Sequence, residues 1–268
     1  MIVAAPLGNL LRTWRFRRHM TQLDLALQAG ISARHLSFVE TGRAQPSRGM
    51  LLRLAEQLNI PRRERNELFA AAGFAPVFPE RALSDGTMAA ARQAIDLILS
   101  GHRPFPAFAI DRHWVLIASN GVLTPLLGAV SPELLKPPVN SLRLTLHPNG
   151  LGSQLADYDE WRGHVLEKLR RQIAVSADAG LIELFNEVKG YQGPRTPRTH
   201  KKPCADHGGA PFVLPLRLIT NSGVLSFLTT TTVFGAPLDV TLEEMSIELF
   251  YPADAETARV LNQFTRSR

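Results

Sequence analysis

Ser32-Ala33-Arg34-His35-Leu36-Ser37-Phe38-Val39-Glu40 reads as a helix held along one side and free along the other. Leu36 and Val39 are three apart, so both point to one side and anchor the segment in a core. Ala33, Arg34, Ser37 and Phe38 fall on the opposite side. Ser32 can cap the helix, its hydroxyl accepting a backbone N–H of the first turn. Just upstream, Gln22 to Ala29 reads as a second short helix, broken by Gly30. Two short helices joined by a glycine-containing turn make a helix-turn-helix, which places its second helix in a DNA major groove.

The flanking sequence supplies further helices. Leu7 to His19 carries Leu7, Leu10, Leu11 and Trp14 at helical spacing, with arginines on the remaining face. Thr21 caps the Gln22 helix, whose buried side is expected to be Leu23, Ala26 and Leu27. Gln22 is expected to be exposed beside that cap, placed for a hydrogen bond to phosphate. Gly42, within Glu40-Thr41-Gly42-Arg43, fits a left-handed helix end. Pro46-Ser47 opens a fourth helix with Leu51, Leu52, Leu54, Ala55 and Leu58. Pro61 opens a fifth, running to about Ala72 with Leu68 and Phe69 inside, and Gly73 ends it. Residues 1–75 are thus expected to form an all-α domain of five helices.

Charge singles out the same segment. The chain of 268 residues has a formal net charge of +6. Residues 1–75 hold eleven arginines, no lysine and five acids, which accounts for the whole excess. Arginine forms forked hydrogen bonds to phosphate, so the pattern suits nucleic acid, although a solvated basic surface would look alike. Cys204 is the only cysteine, which rules out an intramolecular disulfide and fits a reducing, cytoplasmic setting. The N-terminus lacks a basic start followed by an apolar stretch, and no apolar run is long enough to span a bilayer.

Ala75-Pro76-Val77-Phe78-Pro79 marks a boundary, and residues 76–105 read as a linker and connecting helix. That helix, Met88 to Leu99, puts Ala91, Ile95, Ile98 and Leu99 on one face. It could join two domains or pack on the second. Residues 106–268 have a different texture. Ala107 to Ile110 and His113 to Ser119 read as strands about a tight turn. Short helical pieces follow at Asn120 to Leu127 and Pro132 to Leu135, then an apolar stretch from Val139 to Leu146. Asp159 to Ala174 is a long helix with Trp161, Val165, Leu166, Leu169 and Ile173 expected inside, and Ala179 to Val188 is another. Phe212 to Thr220 and Val224 to Phe234 read as paired strands turning at Asn221-Ser222-Gly223. Val240 to Phe250 is ambiguous, and Ala253 to Phe264 closes as a helix. The expected class is α+β overall, the all-α five-helix domain being followed by a mixed α+β domain whose sheet carries helices on one side.

Two resemblances cover nearly the whole chain. Arg12 to Leu58 resembles the xenobiotic-response-element type of helix-turn-helix regulators. The residues that carry it are Arg15, Thr21-Gln22, Leu25-Ala26, Ala29-Gly30-Ile31-Ser32, Leu36-Ser37, Glu40-Thr41-Gly42-Arg43 and Pro46-Ser47. It implies that Arg15 pairs with Glu40 as a structural lock, and that Gln22, Ser32 and Arg43 grip phosphate. The later part resembles the ligand-binding domain of MmyB-like regulators, with a PAS-like fold. It does so through Pro138-Val139-Asn140, Leu146-His147-Pro148, Glu160-Trp161-Arg162, Leu169-Arg170-Arg171-Gln172, Asp239-Val240-Thr241-Leu242-Glu243-Glu244 and Phe250-Tyr251-Pro252-Ala253-Asp254. It implies a sensor for a small apolar ligand of fatty-acid type.

Within these frames each candidate residue has a role. Arg34 would fork to a guanine edge, Ala33 and Phe38 would touch thymine methyls, and Ser37 lies beside them. The alternatives are a solvated Arg34 and a Phe38 tucked between helices. Leu123, Leu126, Leu127, Leu142 and Leu146 are pocket candidates, and plain core is the alternative for each. Arg143, His147 and Arg162 could receive a carboxylate head, unless the two arginines pair with Asp159 or Glu160.

No metal and no cofactor is expected. Cys204 and His207 are three apart in a Pro- and Gly-rich loop without a second pair, and Glu160 with His164 lacks further ligands. There is no Gly-rich phosphate loop and no nucleophile elbow, so an enzyme is not expected. The expected function is a transcription regulator that binds double-stranded DNA as a homodimer under control of the ligand, without membrane insertion. Two rivals are a DNA-localised enzyme acting on a small molecule, and a regulator whose later domain binds a protein partner.

Overall fold

A computed structural model describes residues 6–193 and 214–266. The chain divides into two compact units. One comprises the chain up to Arg81 together with Arg171–Asp178 and Pro237–Val240, and the rest forms the other.

The first unit contains α1 (Leu7–Arg17), α2 (Gln22–Gln28), α3 (Ala33–Glu40), α4 (Arg48–Gln57) and α5 (Arg62–Ala71). The caps lie where the sequence puts them. Thr21 accepts the Asp24 N–H in a reciprocal capping box, Ser32 accepts that of His35, and Ser47 that of Met50. Gly42 and Gly73 end their helices at φ of 74° and 79°. One core runs through the unit, built from Leu11, Trp14, Leu25, Leu36, Val39, Leu51, Leu54, Leu58, Leu68 and Phe69 among others.

The face of α2 differs from expectation. Leu25 and Ala26 are its buried residues, whereas Leu23 and Leu27 are 68% and 80% exposed. Leu23 and Leu27 lie four apart and share a face, but α3 packs against the face carrying Leu25, Ala26 and Ala29.

Gly8 fixes how closely α1 approaches α3. A Cβ at this position would lie 2.2 Å from the Glu40 carbonyl oxygen and 2.9 Å from that of Val39. Alanine would ordinarily gain about 0.5–1 kcal/mol over glycine in a helix. At Gly8 this gain is outweighed by displacement of backbone. Gly8→Ala is therefore expected to destabilise the unit by about 1–3 kcal/mol, read by urea unfolding.

The second unit holds α6 (Ala89–Gly101), β1 (Ala107–Ile110), β2 (Leu116–Ser119), α7 (Ser141–Leu146), α8 (Tyr158–Ser176), α9 (Ala179–Lys189), β3 (Leu216–Thr220), β4 (Gly223–Thr232), α10 (Val240–Glu243), β5 (Ser246–Pro252) and α11 (Ala255–Arg266). Residues 171–176 of α8 and Val240 of α10 are counted with the first unit. The five strands form one antiparallel sheet in the order β2-β1-β5-β4-β3, so β5 is central. The α+β class is as expected.

Several local readings change. The ambiguous stretch from Val240 holds a short helix and then a strand. The strand expected from His113 begins only at Leu116. Asp111 Oδ1 accepts the N–H groups of His113 and Val115, each at 2.8 Å, and Trp114 takes φ 66°. The turn therefore extends through these residues. In α8, Val165, Leu166 and Leu169 are buried, but Trp161 and Ile173 are only half-buried.

The two faces of the sheet differ. Ala107, Ala109 and Ile247 pack against Ile95 and Leu99 of α6, so this helix packs on the sheet. On the other face Phe250 meets Phe108 and Phe227, with ring centroids 5.4 and 6.1 Å apart. The residues of this aromatic row alternate with those of the α6 side, as the two-residue period of a strand requires.

Candidate functional site

The helix α3 is held by more than its apolar residues. Leu36 and Val39 are 0% and 1% exposed, and Glu40 is buried with them. Arg15 forks onto Glu40, Nε to Oε1 at 2.7 Å and Nη2 to Oε2 at 2.9 Å, and gives a third hydrogen bond to the Met20 carbonyl. Gln22 Nε2 adds a bond of 2.7 Å to Glu40 Oε2. These contacts tie the ends of α1, α2 and α3 together. Gln22 is consequently half-buried rather than exposed, and one of its amide hydrogens is committed to Glu40.

Burial would raise the pKa of the Glu40 carboxyl. Hydrogen bonds from Arg15 and Gln22, with the charges of Arg15 and Arg12, outweigh this and hold it below the usual carboxylate value. A depressed folded-state pKa contributes stability fully above the unfolded value of about 4.3. That contribution is lost as pH falls through the lower folded value. Acid unfolding of the helical unit is therefore expected below about pH 4. A chain carrying Glu40→Gln should show a weaker pH dependence of stability across that window.

The free side of α3 carries the candidate reading residues. Arg34 is exposed, with its guanidinium 5.4 Å from the centre of the Phe38 ring one turn on. Phe38 and Ser37 are half-buried, and so is Ala33, which packs partly on the helical core. Ser32 Oγ accepts the His35 N–H at 3.1 Å, which leaves its O–H free to donate. Arg43 is exposed just beyond Gly42.

In the second unit the sequence candidates separate into two groups. Leu142 and Leu146 of α7 are buried, as is Leu126, while Leu123 and Leu127 are half-buried. The three candidate cations gather at the end of α9. Arg143 pairs with Glu187, its Nη2 lying 2.7 Å from Oε2. His147 meets the Tyr191 ring edge-on, 5.0 Å between centroids, and its Nδ1 accepts the Asn149 N–H. Arg162 donates to the Lys189 carbonyl. The partner of Arg143 is thus Glu187, neither Asp159 nor Glu160, and Arg162 bonds a backbone carbonyl. The hydrogen bond from Arg143 holds the Glu187 carboxyl below its usual range, while burial and Glu187 push the Tyr191 phenol up.

A second polar cluster lies on the aromatic face of the sheet, and sequence spacing did not reveal it. Glu248 is the inward residue of the central strand, directly opposite Thr231 on β4 and Phe108 on β1. Its side chain is 9% exposed. Lys168 of α8 reaches Glu248 Oε1 at 3.0 Å and Thr231 Oγ1 at 3.3 Å. The Lys168 ammonium also lies 4.6 Å from the centre of the Trp114 ring. A buried charge in a sheet is costly unless paired, and these contacts supply the pairing. The one sequence signal was a lone glutamate in the apolar run Ile247-Glu248-Leu249-Phe250.

Among the described residues no group of three or more His, Cys, Asp or Glu could hold a metal ion. Cys204 and His207 lie outside the described residues. No helix of the described residues is long and apolar enough to cross a membrane.

The family profile of the MmyB-like transcription regulator ligand binding domain matches residues 91–264. The chain belongs to the MmyB-like transcription regulators. A helix-turn-helix domain profile matches residues 6–68, which makes this family member a helix-turn-helix regulator with an MmyB-like domain. A curated relative, the uncharacterized HTH-type transcriptional regulator RghRB of Bacillus subtilis (strain 168), is 38% identical over 85 residues. That match covers 31% of this chain and 59% of the relative. Among solved structures, an RNA-binding Light-Oxygen-Voltage receptor is matched at 14% identity and a TM-score of 0.27, over 97% of this chain and 62% of that one. A likeness that low supports no argument. The chain spans about six-tenths of the length of the proteins it matches here.

Proposed function

We propose that this MmyB-like regulator binds double-stranded DNA through α3 and that its second unit binds a small apolar ligand controlling that binding. The observation that carries the DNA part is the clamping of α3. Leu36, Val39 and the Arg15–Glu40 fork fix one side of the helix, and Arg34 stands exposed on the other. A reading helix must be rigid to place a forked donor at a base edge. The arginine excess of this segment supports phosphate contact around it, with Ser32, Arg43 and Gln22 as the gripping residues.

Residues 1–75 serve as the DNA-binding domain, 76–105 as the connection and 106–268 as the sensor. A homodimer would place two α3 helices in half-sites about 34–36 Å apart or a multiple of that. The match of residues 91–264 to a ligand binding domain supports a small ligand, with fatty acids as the first class to test and Leu123, Leu126, Leu127, Leu142 and Leu146 as lining candidates. Ligand shifts DNA binding only through different affinities for the competent and incompetent states.

The test is anisotropy titration of the full chain against DNA from upstream of its own gene. Binding should weaken steeply as salt rises, because contacts to phosphate release counterions. Absent or salt-independent binding would overturn the reading.

A further inference from the structure

We propose that the sheet-bearing unit takes its ligand by oxygen acceptors, a carboxylate received by Lys168 and a second oxygen received by Trp161. This rests on the ligand-binding reading above and adds the chemistry of the ligand's polar groups.

Lys168 is aimed by its surroundings. Glu248 and Thr231 take its ammonium on the sheet side, and the Trp114 ring flanks it. Its side chain is still 33% exposed, so an anion can approach from the open side. Glu248 offers no such access. It is 9% exposed, and its oxygens already accept from Lys168 and from the Thr231 hydroxyl at 3.1 and 3.2 Å. An amine could reach that carboxylate only by expelling Lys168. The cluster therefore favours an incoming acceptor over an incoming cation.

Trp161 points the same way. It lies seven residues before Lys168 on α8, so the two occupy one helix face about 10 Å apart. Its Nε1–H is buried and meets no hydrogen-bond partner among the described residues. A buried donor left unmet costs about 1–3 kcal/mol, so it marks a place where an acceptor is missing. One carboxylate cannot span both donors. The ligand class that meets both is an apolar acid with a further oxygen, such as a hydroxy or keto acid, along its chain. Glu248 and Thr231 act as positioning residues for Lys168.

The test titrates the full chain, by calorimetry, with decanoic acid, its methyl ester, decylamine and a chain-hydroxylated decanoic acid. Lys168→Met alone would strand the buried Glu248 carboxylate, so it is made in a Glu248→Gln background. Glu248→Gln by itself should bind the acids at least as tightly as the parent, because a like charge beside the head is gone. Lys168→Met with Glu248→Gln should lose about ten- to hundredfold for the acids and leave the ester unchanged. Trp161→Phe should weaken the hydroxy acid about fivefold and spare decanoic acid. Decylamine binding more tightly than the acid, or acid affinity indifferent to Lys168, would overturn the inference alone. Failure of the parent chain to bind any of the four would overturn the apolar-ligand reading with it.

Discussion

Replacing Glu40 by leucine is expected to destabilise the helical unit by about 3–5 kcal/mol, the cost of leaving one partner of a buried ion pair alone. Arg15 and Glu40 have side chains only 6% and 2% exposed, so water cannot take over the role of the lost carboxylate. The change also strands Gln22 Nε2, whose acceptor is Glu40 Oε2. Hydrogen exchange of the α1 and α3 amides reads this unit without interference from the second. Protection there should fall by more than a hundredfold while the sheet amides are unaffected. Arg15→Met combined with Glu40→Leu removes both charges and should recover most of the loss. A single substitution that leaves α3 protection intact would show that the fork is not what holds the helix.

The Arg15–Glu40 pair also shows what the sequence could and could not disclose. It was legible only through the family resemblance, since twenty-five positions separate the partners. The helices themselves were legible from local chemistry. Thr21, Ser32 and Ser47 cap as read, because a cap is a contact within three residues. The buried face of α2 was not, because Leu23/Leu27 and Leu25/Ala26/Ala29 both offer helical spacing. Only the position of α3 selects between them. The same limit governs the second unit. Arg143 finds Glu187 forty-four residues away, and Lys168 finds Glu248 eighty residues away. No periodicity encodes such pairs, whereas strand pairing across the Asn221-Ser222-Gly223 turn follows directly from the turn itself.

Arg34→Ala is expected to cost about 1–3 kcal/mol of DNA affinity at the preferred site and to relax base preference at one position of each half-site. The reasoning begins with geometry. Arg34 is the exposed arginine of α3, and the face opposite Leu36 and Val39 carries it outward. Its guanidinium rests near the Phe38 ring at 5.4 Å, which limits the rotamers it must give up to form a forked bond. Arg43→Ala provides the contrast. Arg43 lies past the end of α3, beyond Gly42, where a phosphate contact would fix register without reading sequence. Its loss should weaken specific and nonspecific sites alike and lower the slope of log affinity against log salt by about one. Competition binding across a single-base operator library separates the two. If Arg34→Ala weakens every sequence equally, Arg34 is a phosphate contact, and base readout passes to Ser37, Ala33 and Phe38 on the same face.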